Sequence, residues 1–333
     1  MGDVAMLVPV LMALTSKYPD LRITLLTRKR FEVIFSQVPH LKIIHAEVKG
    51  KHKGLLGIIK LFKQLKGLHF DAIVDAHNVL RTNILKFLFQ FKAVPFVQIN
   101  KGRSEKKALV RYKNKVFKPL KTTHKRYADL LSEIGYPIDL SLHCVLDKPK
   151  MATNIKTLIG PYEHLVAIAP FAAYQSKIYP LEQLQLVIKT LIANKNLKIV
   201  LFGGGTKEID QLNMLEQSCT DQLFNMAGKL SFEEELNLIA NVDVMLAMDS
   251  GNGHLAANYG VPVVTLWGVT HPYAGFAPFL QKSENSLVAD ISKYPVIPTS
   301  VYGNTYPEGY EYAIASIDPI SISNRIQELL KNK

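Results

Sequence analysis

The chain has 333 residues and a mass of 37.3 kDa, with 48% hydrophobic and 20% charged residues. That composition can bury sizeable cores, fits two domains at roughly 150 residues each, and excludes a mostly disordered, collagen-like or disulfide-scaffold protein. Cys144 and Cys219 are the only cysteines, so structural disulfides are not expected and a reducing compartment is favoured. No apolar run reaches the roughly 18–20 residues of a membrane span, and Met1-Gly2-Asp3 lacks the basic start of a secretory signal.

Val4 to Lys17 carries a helical pattern, stopped by Tyr18-Pro19. Strands are then expected at Arg22–Thr27, Lys42–His45, Ala72–Asp75 and Phe96–Ile99, with helical patterns between them at Phe31–Gln37, Gly54–Leu68 and Arg81–Phe89. This alternation argues for a parallel, doubly wound sheet. Such a domain usually opens on a strand, and none precedes the first helix. Either the N-terminal domain lacks its first strand or, as is expected here, that strand is missing because Met1 is internal to a longer natural chain.

Residues 101–126 interrupt the pattern. Lys101, Arg103, Lys106, Lys107, Arg111, Lys113, Lys115, Lys118, Lys121, Lys125 and Arg126 stand there against Glu105 alone, within an overall formal charge of +12. Such a run attracts polyanions or anionic headgroups, or is simply a solvated surface. A helix follows at Lys125–Ile134, ended by Gly135-Tyr136-Pro137, and 139–150 reads as a linker. A second alternating set comes next. Its strands are Leu165–Ala169, Leu197–Phe202, Val242–Ala247 and Pro262–Trp267. Its helices are Leu181–Ala193, Phe232–Ala240, Gly253–Tyr259 and Ile320–Lys331. The architecture expected is two Rossmann-like halves, 1–150 and 151–333.

In open α/β sheets, ligands bind beyond the carboxyl ends of strands, where helix N-termini present free N–H groups. Met248-Asp249-Ser250-Gly251-Asn252-Gly253-His254 falls at such a place: small residues admit a phosphate, His254 adds a donor, and Asp249 or Ser250 could equally be a helix cap. Phe202-Gly203-Gly204-Gly205-Thr206-Lys207-Glu208 is glycine-rich, but Glu208 stands where a dinucleotide fingerprint has its third glycine. Its carboxylate suits ribose hydroxyls, or merely starts a helix. Lys177, just before Pro180, could neutralise a phosphate or be a surface lysine. Asp3 could serve as a general base or as a helix cap. His77, Asn78 and Arg81 follow a strand and could hold a polar or anionic acceptor, with an ordinary loop histidine as the alternative for His77. There is no metal-ligand spacing and no G-x-S-x-G.

Asp249-Ser-Gly-Asn-Gly-His254-Leu-Ala-Ala followed by Gly260-Val-Pro-Val-Val-Thr-Leu-Trp-Gly268-Val-Thr270-His-Pro272 resembles the signature of the lipopolysaccharide heptosyltransferases. These are the ADP-heptose-dependent glycosyltransferases of family 9, with the GT-B fold. Gly2-Asp3 with Pro9 resembles the family's G-D-x-x-x-x-x-P segment, Lys177-Ile-Tyr-Pro180 its K-x-[WY]-P segment, and Ala227-Gly228-Lys-Leu-Ser231 its A-G-x-x-S loop. The chain departs from the pattern at Ala172 and Ala173, where the family often has hydroxyl residues before the lysine.

The resemblance implies an α/β GT-B fold, with two Rossmann-like domains whose parallel sheets face across a cleft, the first binding the acceptor and the second the nucleotide sugar. It implies an inverting, metal-independent transferase, without cofactor, that moves a heptose from ADP-heptose to a lipopolysaccharide core acceptor. Asp3 matches the catalytic base, Lys177 the donor-phosphate lysine and Glu208 the ribose acid. Leu230 matches the adenine-packing position, and Asp249, Ser250, Gly251 and His254 match the donor-sugar and pyrophosphate loop. His77, Asn78, Arg81, Lys106, Lys107 and Arg111 are then the acceptor-side candidates, facing a phosphorylated lipopolysaccharide core. The protein is expected to be cytoplasmic, with peripheral contact at the inner membrane. A GT-B nucleotide-sugar epimerase, a glycosyltransferase with another nucleotide sugar and a non-catalytic sugar-binding relic are the rivals. Nucleic acid is not an expected partner, because Tyr112 and Phe117 are the only aromatics within the basic run.

Overall fold

A computed structural model describes residues 1–141, 145–219 and 221–332; Cys144 and part of the expected linker lie outside the described residues. From the N-terminus come α1 (Gly2–Ala5), α2 (Val8–Lys17), β1 (Ile23–Thr27), β2 (Leu41–His45), α3 (Gly54–Lys66), β3 (Ile73–Asp75), α4 (Leu80–Phe89) and β4 (Phe96–Gln98). Then follow α5 (Arg103–Leu109), α6 (Thr123–Glu133), α7 (Thr153–Ile159), β5 (His164–Ala169), α8 (Leu181–Ile192), β6 (Leu197–Leu201), α9 (Thr206–Gln217) and β7 (Leu223–Asn225). The last are α10 (Phe232–Ala240), β8 (Val244–Met248), α11 (Gly251–Asn258), β9 (Val263–Trp267), β10 (Ser286–Val288) and α12 (Pro319–Lys331). No described helix is long and apolar enough to cross a membrane.

Packing groups these elements into two units, neither continuous in sequence. The first is Met1, Met6–Arg103 and Lys121–Cys144; the second is Gly2–Ala5, Ser104–Leu120 and Val145–Lys333. In the first unit β1 pairs with β2 and β3 with β4, both parallel, and among the described residues no strand joins the two pairs. Ile44 of β2 and the inner faces of α3 and α4 (Ile58, Leu61, Leu65, Leu85, Phe89) form one core cluster in it. The Phe62 ring stands edge-on to Phe89 at 4.9 Å.

The second unit is built on a six-stranded parallel sheet in the order β10-β9-β8-β5-β6-β7. Every residue of β8 and β9 is buried, the apolar run expected of strands covered on both faces. Leu184, Val187, Ile188 and Leu191 of α8 and Ile322, Ile326 and Leu330 of α12 pack on the sheet in one core. From β5 the chain winds outward through β6 and β7, then returns to the other side of β5 through β8, β9 and β10. The winding reverses between β5 and β8, and that is where open sheets hold ligands.

Local chemistry explains where the elements differ from expectation. The helix expected over 4–17 breaks at Met6–Leu7, because Pro9 has no N–H with which to continue it. α11 starts two residues earlier than expected, at Gly251, behind Ser250 as N-cap. α10 begins where a capping box forms, with Ser231 Oγ accepting from Glu234 N–H and the Glu234 carboxylate from Ser231 N–H.

The basic run does not behave as one surface. The Lys115 ammonium donates to the carbonyls of Val296 and Pro298, and Leu120 N–H donates to Tyr273 O at 2.9 Å. Phe117 meets the rings of His271 and Tyr273 at 5.1 and 5.0 Å, and buried Lys106 places its ammonium 4.0 Å from the Phe276 ring centre. These contacts tie 104–120 to the second unit, while Lys107, Arg111, Lys113 and Lys118 remain exposed.

Candidate functional site

Two loops flank the reversal point. One leaves β5 at Ala169 and passes through a 3-10 turn, Gln175–Lys177, before α8. The other leaves β8 at Met248 and enters α11 at once. They meet in an ion pair, with Lys177 Nζ 3.0 Å from Asp249 Oδ2 and side chains only 11% and 10% exposed. Asp249 is therefore engaged by a lysine, and Ser250 makes no side-chain cap bond. The N–H groups of the first turn of α11 have no acceptor within the helix. A lysine beside such a helix start makes an anion site.

The polar atoms around it fit that reading. Ser250 Oγ, His254 Nδ1 and Thr270 Oγ1 are buried without a hydrogen-bond partner. An acceptor brought to this sheet edge would satisfy them. Burial first, then the Lys177 charge, pushes the His254 imidazole down to about 4, so it is neutral near pH 7. Its ordinary value in an unfolded chain is near 6.5. The depressed folded value contributes stability that is whole above pH 6.5 and is lost as pH falls towards 4, up to about 3 kcal/mol. Chemical denaturation at pH 7.5 and pH 4.5 should show this loss, and H254Q should remove the part due to His254 while leaving that of His271, whose imidazole burial also pushes down to about 4.

A third loop holds Lys177 in place. Ser176, fully buried, donates from Oγ to Gly303 O at 2.6 Å, and Gly303 N–H donates to Ser300 Oγ at 2.9 Å. Gly303 has φ +90°, and a Cβ there would lie 2.5 Å from Lys177 Cδ. G303A must therefore strain its own backbone and push the lysine stem aside. We expect it to cost about 1–3 kcal/mol of stability, read by thermal unfolding.

Two further loops leave the same edge. After β6, the glycine loop turns into α9, and Glu208 accepts from Gly204 N–H at 2.8 Å. One carboxylate oxygen thus serves the helix start. After β7, Gly228 (φ +72°) turns the chain, and half-buried Leu230 precedes the Ser231 cap.

Asp3 is exposed in the first turn of α1. Beside it, Gly2 packs on the His254 ring, where an added Cβ would lie 3.3 Å from Cδ2. The structure thus gathers Asp3, Lys177, Asp249, Ser250, Gly251 and His254 in the second unit. His77, Asn78 and Arg81 belong to the first. There the Asp75 carboxylate accepts both the His77 and Asn78 N–H groups at 2.9 Å, and the Asn78 amide donates to Ile99 O. Asn78 is thereby occupied in bracing the turn, while His77 is exposed and Arg81 half-exposed.

Sequence reasoning passed over Thr270 and the Ser176–Ser300–Gly303 clamp. Thr270 had a signal, since a strand followed by Gly268-Val-Thr repeats the pattern of the other edge loops. The clamp had none, because 126 residues separate Lys177 from Gly303.

Residues 58–304 match glycosyltransferase family 9 (heptosyltransferase). The lipopolysaccharide core heptosyltransferase OpsX of Haemophilus influenzae is 24% identical over 277 residues, 81% of this chain and 77% of that protein. The structure resembles a glycosyl transferase family 9 protein from Veillonella parvula, with TM-score 0.76 at 17% identity over 100% of this chain and 95% of the other. It also resembles the heptosyltransferase WaaC of E. coli solved with ADP, with TM-score 0.68 at 18% identity over 99% and 97%.

Proposed function

Because the chain belongs to glycosyltransferase family 9, the heptosyltransferase family, we propose that it transfers a heptose from ADP-heptose to a lipopolysaccharide core acceptor, with inversion at the anomeric carbon. The observation that carries this reading is the buried Lys177–Asp249 pair at the start of α11, with Ser250 Oγ and His254 Nδ1 without a hydrogen-bond partner nearby. The diphosphate settles there, with the ribose towards Glu208 and the adenine towards Leu230. Asp3 takes the proton from the acceptor hydroxyl as its oxygen attacks the anomeric carbon. The bond from that carbon to the β-phosphate oxygen breaks, and ADP leaves with the electron pair. Negative charge grows on the phosphate, where Lys177 and the N–H groups of α11 stabilise it. The reading assigns this neutralisation to protein groups, so EDTA should leave turnover unchanged.

The first unit is the acceptor-binding half in this reading, through His77 and Arg81. In the second unit, exposed Lys107 and Arg111 suit acceptor phosphates better than Lys106, whose ammonium lies on Phe276. The protein works at the cytoplasmic face of the inner membrane. Support for membrane contact is the stripe Leu80, Phe87 and Phe91, all exposed at helical spacing and flanked by exposed Lys60, Lys63 and Lys92. F87S/F91S should lower co-sedimentation with phosphatidylglycerol-containing vesicles about tenfold.

The test is transfer itself. Purified protein, ADP-heptose and heptose-deficient lipopolysaccharide should give a core heavier by one heptose and one equivalent of ADP. Release of ADP without any acceptor, or turnover with another nucleotide sugar alone, would overturn the assignment.

A further inference from the structure

We infer that Asn258 is a positioning residue, which sets the helix of Asp3 against the donor helix. This rests on the proposed role of Asp3 as base. In a continuous α-helix each carbonyl accepts from the N–H four residues on. Residue 9 is proline, so the Ala5 carbonyl has no helical donor. Ala5 is wholly buried, and an unsatisfied carbonyl there is costly. Asn258, the last residue of α11 and itself buried, supplies the missing bond, Nδ2 to Ala5 O at 3.0 Å.

The consequence is geometric. Pro9 frees α1 from α2, and Asn258 captures the freed end of α1 for α11. α1 then touches α11 at two levels: Gly2 on the His254 ring and Ala5 on Asn258. Asp3 lies between these two contacts. The helix that carries the base is thereby held against α11, the element that opens at the leaving-group site and runs from its Ser250 cap to Asn258. The chain position of Pro9 and the amide at 258 are two parts of one device.

P9A separates satisfying the carbonyl from aiming the base. Alanine at position 9 restores an N–H that can bond Ala5 O, so N258A/P9A has its carbonyl paired but α1 running on into α2. We expect N258A to lower Tm by about 2–6 °C and kcat about 10- to 100-fold, with ADP affinity within about threefold of wild type. N258A/P9A should regain the Tm and not the kcat. If the double variant regains both, or if N258A alone keeps full kcat, Asn258 has no positioning role.

A readout independent of catalysis keeps this apart from the role of Asp3. Gly2 covers the His254 ring, so release of α1 in N258A should move the His254 NMR titration up from its depressed value towards the ordinary range. An unchanged His254 titration in N258A overturns the inference whatever Asp3 does. Full activity of D3N, with the His254 titration shifted in N258A, would remove the base assignment and leave the placement of α1 by Asn258 intact.

Discussion

Substitution of Asp3 by asparagine is expected to lower turnover by about 10²–10⁴, the usual contribution of a general base, while ADP binds within about twofold of wild type. The two readouts separate because Asp3 and the proposed diphosphate site are different parts of one unit. Asp3 stands exposed on α1, whereas the anion groups sit on the loops after β5 and β8. Asparagine keeps the shape and removes only the ability to take a proton. Rates and ADP titrations of the same preparation check this. Retained turnover would remove Asp3 as base. Loss of ADP affinity would instead place Asp3 among the donor contacts.

Substitution of Lys177 is expected to act on both stability and catalysis. The ammonium and the Asp249 carboxylate are 11% and 10% exposed, and breaking such a pair from one side leaves a buried charge alone, at about 3–5 kcal/mol. K177M should therefore unfold well below wild type. K177M/D249N removes both charges and should recover most of that loss. Turnover should not recover. In the proposed reaction Lys177 meets the departing diphosphate; its charge is absent from both variants, and loss of one such donor costs about 10²–10³ in rate. ADP affinity should fall about 10- to 100-fold in both, from one charge-assisted hydrogen bond. If the double variant regained activity with its stability, Lys177 would be a structural partner of Asp249 and nothing more.

Much of the fold is legible in the sequence because its strands are short, continuous apolar runs between turn signals. Val-Met-Leu-Ala-Met at 244–248 and Val-Val-Thr-Leu-Trp at 263–267 read as buried parallel strands from their composition. α10 was readable to its first residue because Ser231 and Glu234 cap it locally. α9 was not, since Thr-Lys-Glu-Ile-Asp-Gln after three glycines carries little apolar periodicity and is helical through its packing on the sheet. The N-terminal break was missed for a different reason: Pro9 suits the second position of a helix as well as it stops one, and only the donor at Asn258 decides between these.

The site was legible as separate loops and illegible as a cluster. Each candidate could be placed at a strand end, yet 72 residues separate Lys177 from Asp249. They become neighbours only because β8 returns to lie beside β5. The acceptor-side candidates were harder, since a run of cations says nothing of which ammonium turns inward. Lys106 and Lys115 do so because an aromatic ring and two carbonyls lie within reach.

Whether a nucleoside diphosphate settles on Lys177 and the start of α11, as proposed, is tested most closely by the NMR titration of His254 in the free and ADP-saturated protein. The free imidazole should titrate at about 4. A bound diphosphate offsets the Lys177 charge and accepts from the ring, so saturating ADP should raise that value by about one unit or more, with proton uptake on binding near pH 5. Tight ADP binding that leaves the His254 titration where it was would put the nucleotide elsewhere and contradict the account.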